Sequence, residues 1–300
     1  MHEQPGRRMN RIAVVGLGQM GRGIARNLDA KGLLVAACDT QPAAFDAAGL
    51  SDRVANAGAD IIFDQADIVL FAVPSTDQIG AFLTTAAPPP DRIVIDVTTS
   101  DPAESRALAA DLAIGGVGYV DAAMTGGAAG ADAGTLTLMI GGATKNVAAC
   151  QPVFDAIAAK AFHLGDIGAG HAMKLIHNLI LHSSFLATCE GLRLAERAGI
   201  ALDSAVDVLN AGNARSFVTQ VRFPRDILSG TMMARSHIAN LEKDLGLALD
   251  FAAQQKARVP FGTMTRSVLA EAISAGHADT DFSHLFPLYE DLIDRLEDEQ

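Results

Sequence analysis

Arg11-Ile-Ala-Val-Val-Gly-Leu-Gly-Gln-Met-Gly-Arg-Gly-Ile-Ala-Arg-Asn-Leu28 runs from a short apolar stretch through a glycine-rich turn into an amphipathic helical pattern. The turn reads Gly16-Leu17-Gly18-Gln19-Met20-Gly21, a G-x-G-x-x-G spacing that means little alone but much between a strand and a helix. The first glycine allows the tight turn, the second lets backbone N–H groups approach a pyrophosphate, and the third lets the helix pack closely with its N-terminus toward the anion. A second apolar run, Leu33 to Cys38, ends in Asp39. An acidic side chain about 20 residues past the fingerprint accepts hydrogen bonds from a ribose and repels a 2′-phosphate. Thr40-Gln41 offers no arginine to reverse that preference, so the expected cofactor is NAD.

Outward from this segment, apolar β-branched runs alternate with helical patterns. Strands are expected at Ile12–Val15, Leu34–Cys38, Ile68–Val73, Ile93–Val97, Tyr119–Ala122 and Thr135–Ile140. That alternation predicts a doubly wound sheet, whose ligands lie beyond the carboxyl ends of the strands. Ala72-Val73-Pro74 and Asp96-Val97-Thr98-Thr99 are therefore expected to meet the nucleotide. Pro88-Pro89-Pro90 reads as a stiff connector. After Gly165-Asp-Ile-Gly168-Ala-Gly170 the strand signal stops and long helical patterns take over, at 171–198, 202–210, 238–253, 261–274 and from about Leu285. The expected architecture is an α/β Rossmann-type N-terminal domain over residues 10–167. An all-α C-terminal domain over 168–300 follows, joined to it by a long interdomain helix.

Composition narrows the function. The chain has 300 residues, is 49% hydrophobic and carries a formal charge of −12, which supports two buried cores and disfavours nucleic acid as a partner. Cys38, Cys150 and Cys189 are odd in number and far apart, so they read as buried thiols of a reducing compartment rather than disulfides or zinc ligands. No apolar stretch reaches membrane-spanning length without a charge, and Met1–Asn10 is polar, without the apolar core of an export signal. A cytoplasmic protein with no membrane partner is expected, and Met1 to Arg8 reads as an extension the fold does not need. His171, His177 and His182 have spacings that do not share one helical face, so no metal site is expected. The acidic stretch Glu290 to Glu299 reads as a solvated helix face.

Lys174 and Asn178 stand four residues apart on the first turns of the long helical pattern, on one face near converging N–H groups. Two readings stand: an acid/base whose proton affinity is lowered by its surroundings, or a solvated surface lysine. Thr125-Gly126-Gly127 offers a hydroxyl beside exposed backbone N–H groups, which suits a carboxylate or simply turns the chain between two strands.

Four motifs together resemble the β-hydroxyacid dehydrogenases, typified by 3-hydroxyisobutyrate dehydrogenase and tartronate semialdehyde reductase. They are the nucleotide loop Gly16–Gly21, the segment Asp121–Gly127, the G-x-G-x-x-x-K-x-x-x-N segment Gly168–Asn178, and Lys243-Asp-Leu-Gly-Leu-Ala248, over a likeness running from Asn10 to about Asp294. The resemblance implies that Lys174 is the catalytic acid/base and that Asn178 holds it or the substrate hydroxyl. It implies that Thr125, Gly126 and Gly127 grip a substrate carboxylate, that Val73, Pro74 and Thr99 line the cofactor, and that Lys243 sits by the nicotinamide. Asn213-Ala-Arg215-Ser-Phe217 resembles a segment near the family's substrate pocket, leaving Arg215 as a substrate contact or a structural ion-pair partner. A homodimer or homotetramer is implied as well. Departures cluster where substrate is chosen: Ala123, Met124 and Thr125 replace the usual Pro, Val and Ser, His177 replaces an Asn, and Glu242 stands where an apolar residue is common. The expected activity is NAD-dependent hydride transfer on a small 3-hydroxy acid. A reductase of imines or longer semialdehydes, or a non-catalytic NAD sensor, are the alternatives.

Overall fold

The computed structural model describes residues 11–298; Met1–Asn10, with the dispensable extension expected there, and Glu299 and Gln300 lie outside the described residues. The chain divides into two compact units, one ending at Lys174 and the other beginning at Leu175.

The first unit is built on one eight-stranded sheet: β1 (Ile12–Val15), β2 (Leu34–Cys38), β3 (Ala55–Asn56), β4 (Ile68–Phe71), β5 (Ile93–Asp96), β6 (Gly118–Thr125), β7 (Leu136–Gly142) and β8 (Ala158–Gly165). Strand order is β3-β2-β1-β4-β5-β6-β7-β8. β1 to β6 are mutually parallel, β7 runs antiparallel to β6, and β8 parallel to β7. Helices on both faces explain why β1 and β4 are apolar at every position. In β1, Ile12 and Val14 pack into one core layer with Ile24 and Leu28 of the helix Gln19–Ala30, while Ala13 and Val15 enter the other with Phe71 and Tyr119. The chain order reverses between β1 and β4, which leaves a crevice at their carboxyl ends.

The second unit contains only helices among its described residues. Most of the helix Ala169–Arg197 belongs to it, with Leu202–Ala211, Val218–Leu228, Ile238–Gln254, Pro260–Ser274 and Leu285–Asp298. Its core is aromatic at the centre: Phe223 lies 6.1 Å from Phe185 and 5.3 Å from Phe286, ring centre to ring centre. No described helix is long and apolar enough to cross a membrane. The three cysteines are free and buried.

Three elements depart from the sequence reading. β3 has two residues, too few for a periodicity. β8 is an almost wholly exposed edge strand over Ala-Ala-Lys-Ala-Phe-His-Leu-Gly, so neither burial nor β-propensity marks it. Val218–Leu228 is helical in the wide i→i+5 manner and contains Pro224, a residue that reads as a helix breaker.

Candidate active site

The glycine turn sits at the end of β1. Gly16 adopts a φ of +92°, donates its N–H to Cys38 O at 2.9 Å, and has no room for a Cβ, which would lie 2.5 Å from Ala72 O. A Cβ on Gly21 would collide with the Gly16 carbonyl oxygen. Both glycines are thus demanded by the protein's own packing. Gly18 differs: a Cβ there would meet nothing within 4 Å, and the residue is exposed at the start of the helix Gln19–Ala30, whose N-terminus has no side-chain cap. Uncapped N–H groups beneath an open glycine fit an anion approaching from outside. Leu17 is buried, Gln19 exposed and Met20 half-buried. Asp39 closes the turn, its carboxylate accepting from Leu17 N at 2.7 Å and Gln41 N at 2.8 Å. Each carboxylate oxygen has acceptor capacity left for a ribose hydroxyl.

Val73 is half-buried and Pro74 exposed beyond β4, and Thr99 is half-buried beyond β5, at the same edge of the sheet as Gly16. Asp96, Val97 and Thr98, the rest of the segment expected to meet a nucleotide, are buried. Asp96 centres an internal network. It accepts from Thr98 N at 2.8 Å and from the Tyr119 hydroxyl at 2.7 Å, and stands 3.8 Å from His171 Nε2. Burial, then the Asp96 carboxylate, push the Tyr119 hydroxyl well above its ordinary range.

Lys174 is half-buried, and its Nζ donates to Met124 O at 2.9 Å. That brings the amine to the residue preceding Thr125-Gly126-Gly127, where β6 ends. Gly126 and Gly127 are exposed with φ of +125° and +62°, and Thr125 is half-buried. The N–H groups at the start of the lysine's helix are met by Asp121, which accepts from Gly168 N at 2.8 Å and His171 N at 3.0 Å.

In the second unit, Asn178 is buried and donates its amide to Asp244 Oδ2 at 2.8 Å, while its carbonyl oxygen lies 3.1 Å from His177 Nδ1. Asp244 Oδ1 stands 3.6 Å from Lys243 Nζ, so one carboxylate holds two of the expected site residues. Sequence reasoning passed over Asp244, although the residue lies within the Lys243–Ala248 motif. Glu242, the departure beside it, accepts from Arg266 Nε at 2.8 Å. Arg215 is exposed on the loop before Val218–Leu228 and enters no ion pair among the described residues.

A doubly wound sheet carrying this loop, followed by a helical unit, defines a dinucleotide-dependent oxidoreductase. A family model for the NAD-binding domain of 6-phosphogluconate dehydrogenase matches residues 11–165. A second, described as NAD-binding of NADP-dependent 3-hydroxyisobutyrate dehydrogenase, matches residues 168–289. L-threonate dehydrogenase of Cupriavidus necator is 32% identical over 284 residues, covering 93% of this chain and 95% of that protein. NAD-dependent L-serine dehydrogenase of Pseudomonas aeruginosa is 30% identical over 298 residues, covering 94% and 98%. The solved structure of Mycobacterium tuberculosis 3-hydroxyisobutyrate dehydrogenase with L-serine superposes with a TM-score of 0.84 at 30% identity, covering 93% of this chain and 98% of that one. The chain belongs to the β-hydroxyacid dehydrogenase family of NAD(P)-binding oxidoreductases.

Proposed function

We propose that this protein is an NAD-dependent dehydrogenase of a small 3-hydroxy acid such as 3-hydroxyisobutyrate or glycerate, working reversibly between the alcohol and its semialdehyde. The observation that carries the reading is the 2.9 Å bond from Lys174 Nζ to Met124 O, which sets an amine beside the glycine turn suited to a carboxylate. Backbone N–H groups at Gly126 and Gly127, with the Thr125 hydroxyl, bind the carboxylate and orient the substrate. Lys174 takes the hydroxyl proton in oxidation and returns it in reduction. Asn178, locked by Asp244, presents its carboxamide one helical turn further on. Nicotinamide supplies the two-electron hydride chemistry when bound. Arg215, which is exposed, is assigned to the substrate and Lys243 to the nicotinamide, on the family resemblance.

The preference for NAD rests on Asp39, whose carboxylate would accept from a ribose hydroxyl and repel a 2′-phosphate. The C. necator and P. aeruginosa relatives act, by name, on L-threonate and L-serine, both of which carry a hydroxyl on the carbon two bonds from the carboxylate or nearby; this chain's Thr125 adds a methyl group at the gripping turn. Association as a homodimer or homotetramer completes the proposal.

Initial rates of NADH formation over 3-hydroxyisobutyrate, glycerate, threonate, serine, 4-hydroxybutyrate and 3-hydroxypropionate test the reading, with NADP⁺ run in parallel. One acid should turn over with NAD⁺, and Lys174→Ala should lower kcat by about 100-fold or more. Undiminished turnover in Lys174→Ala removes the lysine from the chemistry. A preference for NADP⁺ reverses the role given to Asp39, and silence on every acid despite NADH binding favours an imine substrate or a sensor.

A further inference from the structure

The motif Gly168-x-Gly170-x-x-x-Lys174 and the segment Asp121–Gly127 meet through a contact that neither shows in sequence. Asp121 is completely buried in β6, and both its carboxylate oxygens point at the start of the helix Ala169–Arg197: Oδ1 accepts from Gly168 N at 2.8 Å and Oδ2 from His171 N at 3.0 Å. A helix is ordinarily capped by a residue at its own start. Here the cap comes from a strand 47 residues earlier in the chain.

The surroundings are shaped for this contact. Gly141 lies directly across from Asp121 in the β6–β7 ladder, and a Cβ on it would stand 2.5 Å from Asp121 Oδ1 and 2.8 Å from Ala169 N. A Cβ on Gly170 would collide with the Met139 carbonyl oxygen and lie 2.8 Å from Asp121 Oδ2. Two missing side chains therefore let the helix start rest on the strand pair. His171 grips the same turn from another side, its buried ring 2.6 Å from Ser105 Oγ through Nδ1.

Three residues after Asp121, the same strand offers the Met124 carbonyl that holds Lys174 Nζ. The strand advances about 10 Å over that interval. From His171 to Lys174 the helix rises about 4.5 Å, and the lysine stem ends in the 2.9 Å bond to the Met124 carbonyl. We propose that Asp121 is a positioning residue: by capping the helix it sets the height of Lys174 along β6, so that the amine meets the Met124 carbonyl beside Thr125-Gly126-Gly127. This rests on the acid/base role proposed for Lys174.

The test compares Asp121→Asn, Gly141→Ala, Lys174→Ala and wild type. Asp121→Asn keeps the size but turns an amide N–H toward one of the helix N–H groups. Gly141→Ala keeps the aspartate itself but crowds Asp121 Oδ1 and Ala169 N at once, forcing the carboxylate and the helix start apart. Each should lower kcat by about 10- to 100-fold with NADH affinity within about twofold of wild type, because a small misplacement of a reacting group is costly. A second readout needs no turnover: acetylation of Lys174 by acetic anhydride, followed by mass spectrometry and scaled to the exposed Lys160. Release of Nζ from Met124 O should speed that labelling several-fold in either variant. Wild-type labelling of Lys174 in both folded variants overturns the proposal, as does loss of kcat in step with loss of NADH affinity and Tm. If Asp121→Asn fails to fold, Gly141→Ala decides by the same two readouts. If Lys174→Ala retains turnover, the acid/base reading fails while the labelling still judges the positioning.

Discussion

Cys38 ends β2 next to Asp39, and its burial first, the neighbouring carboxylate second, push the thiol up to about 11. The folded protein thus resists forming a thiolate that the unfolded chain forms near pH ~8.5. The stability this represents is intact below that pH and is lost as pH rises through about 11. Urea midpoints measured from pH 8 upward should fall along this interval, and Cys38→Ala should flatten part of the fall; an identical slope in the variant contradicts the assignment. The same environment should slow the thiol toward alkylating reagents, since attack needs the thiolate. Asp39, Lys174 and the Thr125 turn were legible in the chain as candidates because their neighbours in sequence carry the signal. Asp96, Asp121, His171 and Asp244 were not, because a buried polar residue reveals its purpose only through partners brought by other segments.

The glycine turn, as an element, separates two demands made on the same residue type. Gly21 is required by packing against Gly16, whereas the space above Gly18 is open. Gly21→Ala should therefore lower Tm together with NADH affinity. Gly18→Ala should leave Tm unchanged and still weaken NADH binding about tenfold or more, because the added methyl occupies the approach of the pyrophosphate. Thermal melts and fluorescence titration with NADH check both, and a Gly18→Ala protein with wild-type affinity removes the loop from the binding site. Elements with strong periodicity, such as β1, β2 and the helix Ala169–Arg197, could be read directly. The exposed strand β8 and the proline-bearing Val218–Leu228 could not, since one is held by pairing with β7 and the other by its packing in an aromatic core.

Each unit has its own core, and the helical one is centred on Phe223, which is fully buried between Phe185 and Phe286. Phe223→Ala should cost about 3–5 kcal/mol through lost burial and the cavity left behind. Hydrogen exchange should show the loss in Val218–Leu228 and Ile238–Gln254, with the strands β1, β4 and β5 of the first unit keeping their protection. Equal loosening of that sheet contradicts the independence of the two cores. Within the first unit, the order of strands places the glycine turn, Val73 and Thr99 along one sheet edge although they are scattered over more than a quarter of the chain.

Local pattern was enough to establish the dinucleotide loop, the doubly wound sheet, the helical second half and the family, because strand and helix periods and turn glycines are properties of short segments. Tertiary structure alone decided that Asp121 caps the helix of Lys174, that Asp244 holds Asn178, and that Asp96 centres a buried network. These contacts join residues 47 or more positions apart, or depend on which face of a buried strand a carboxylate enters, and no periodicity encodes either.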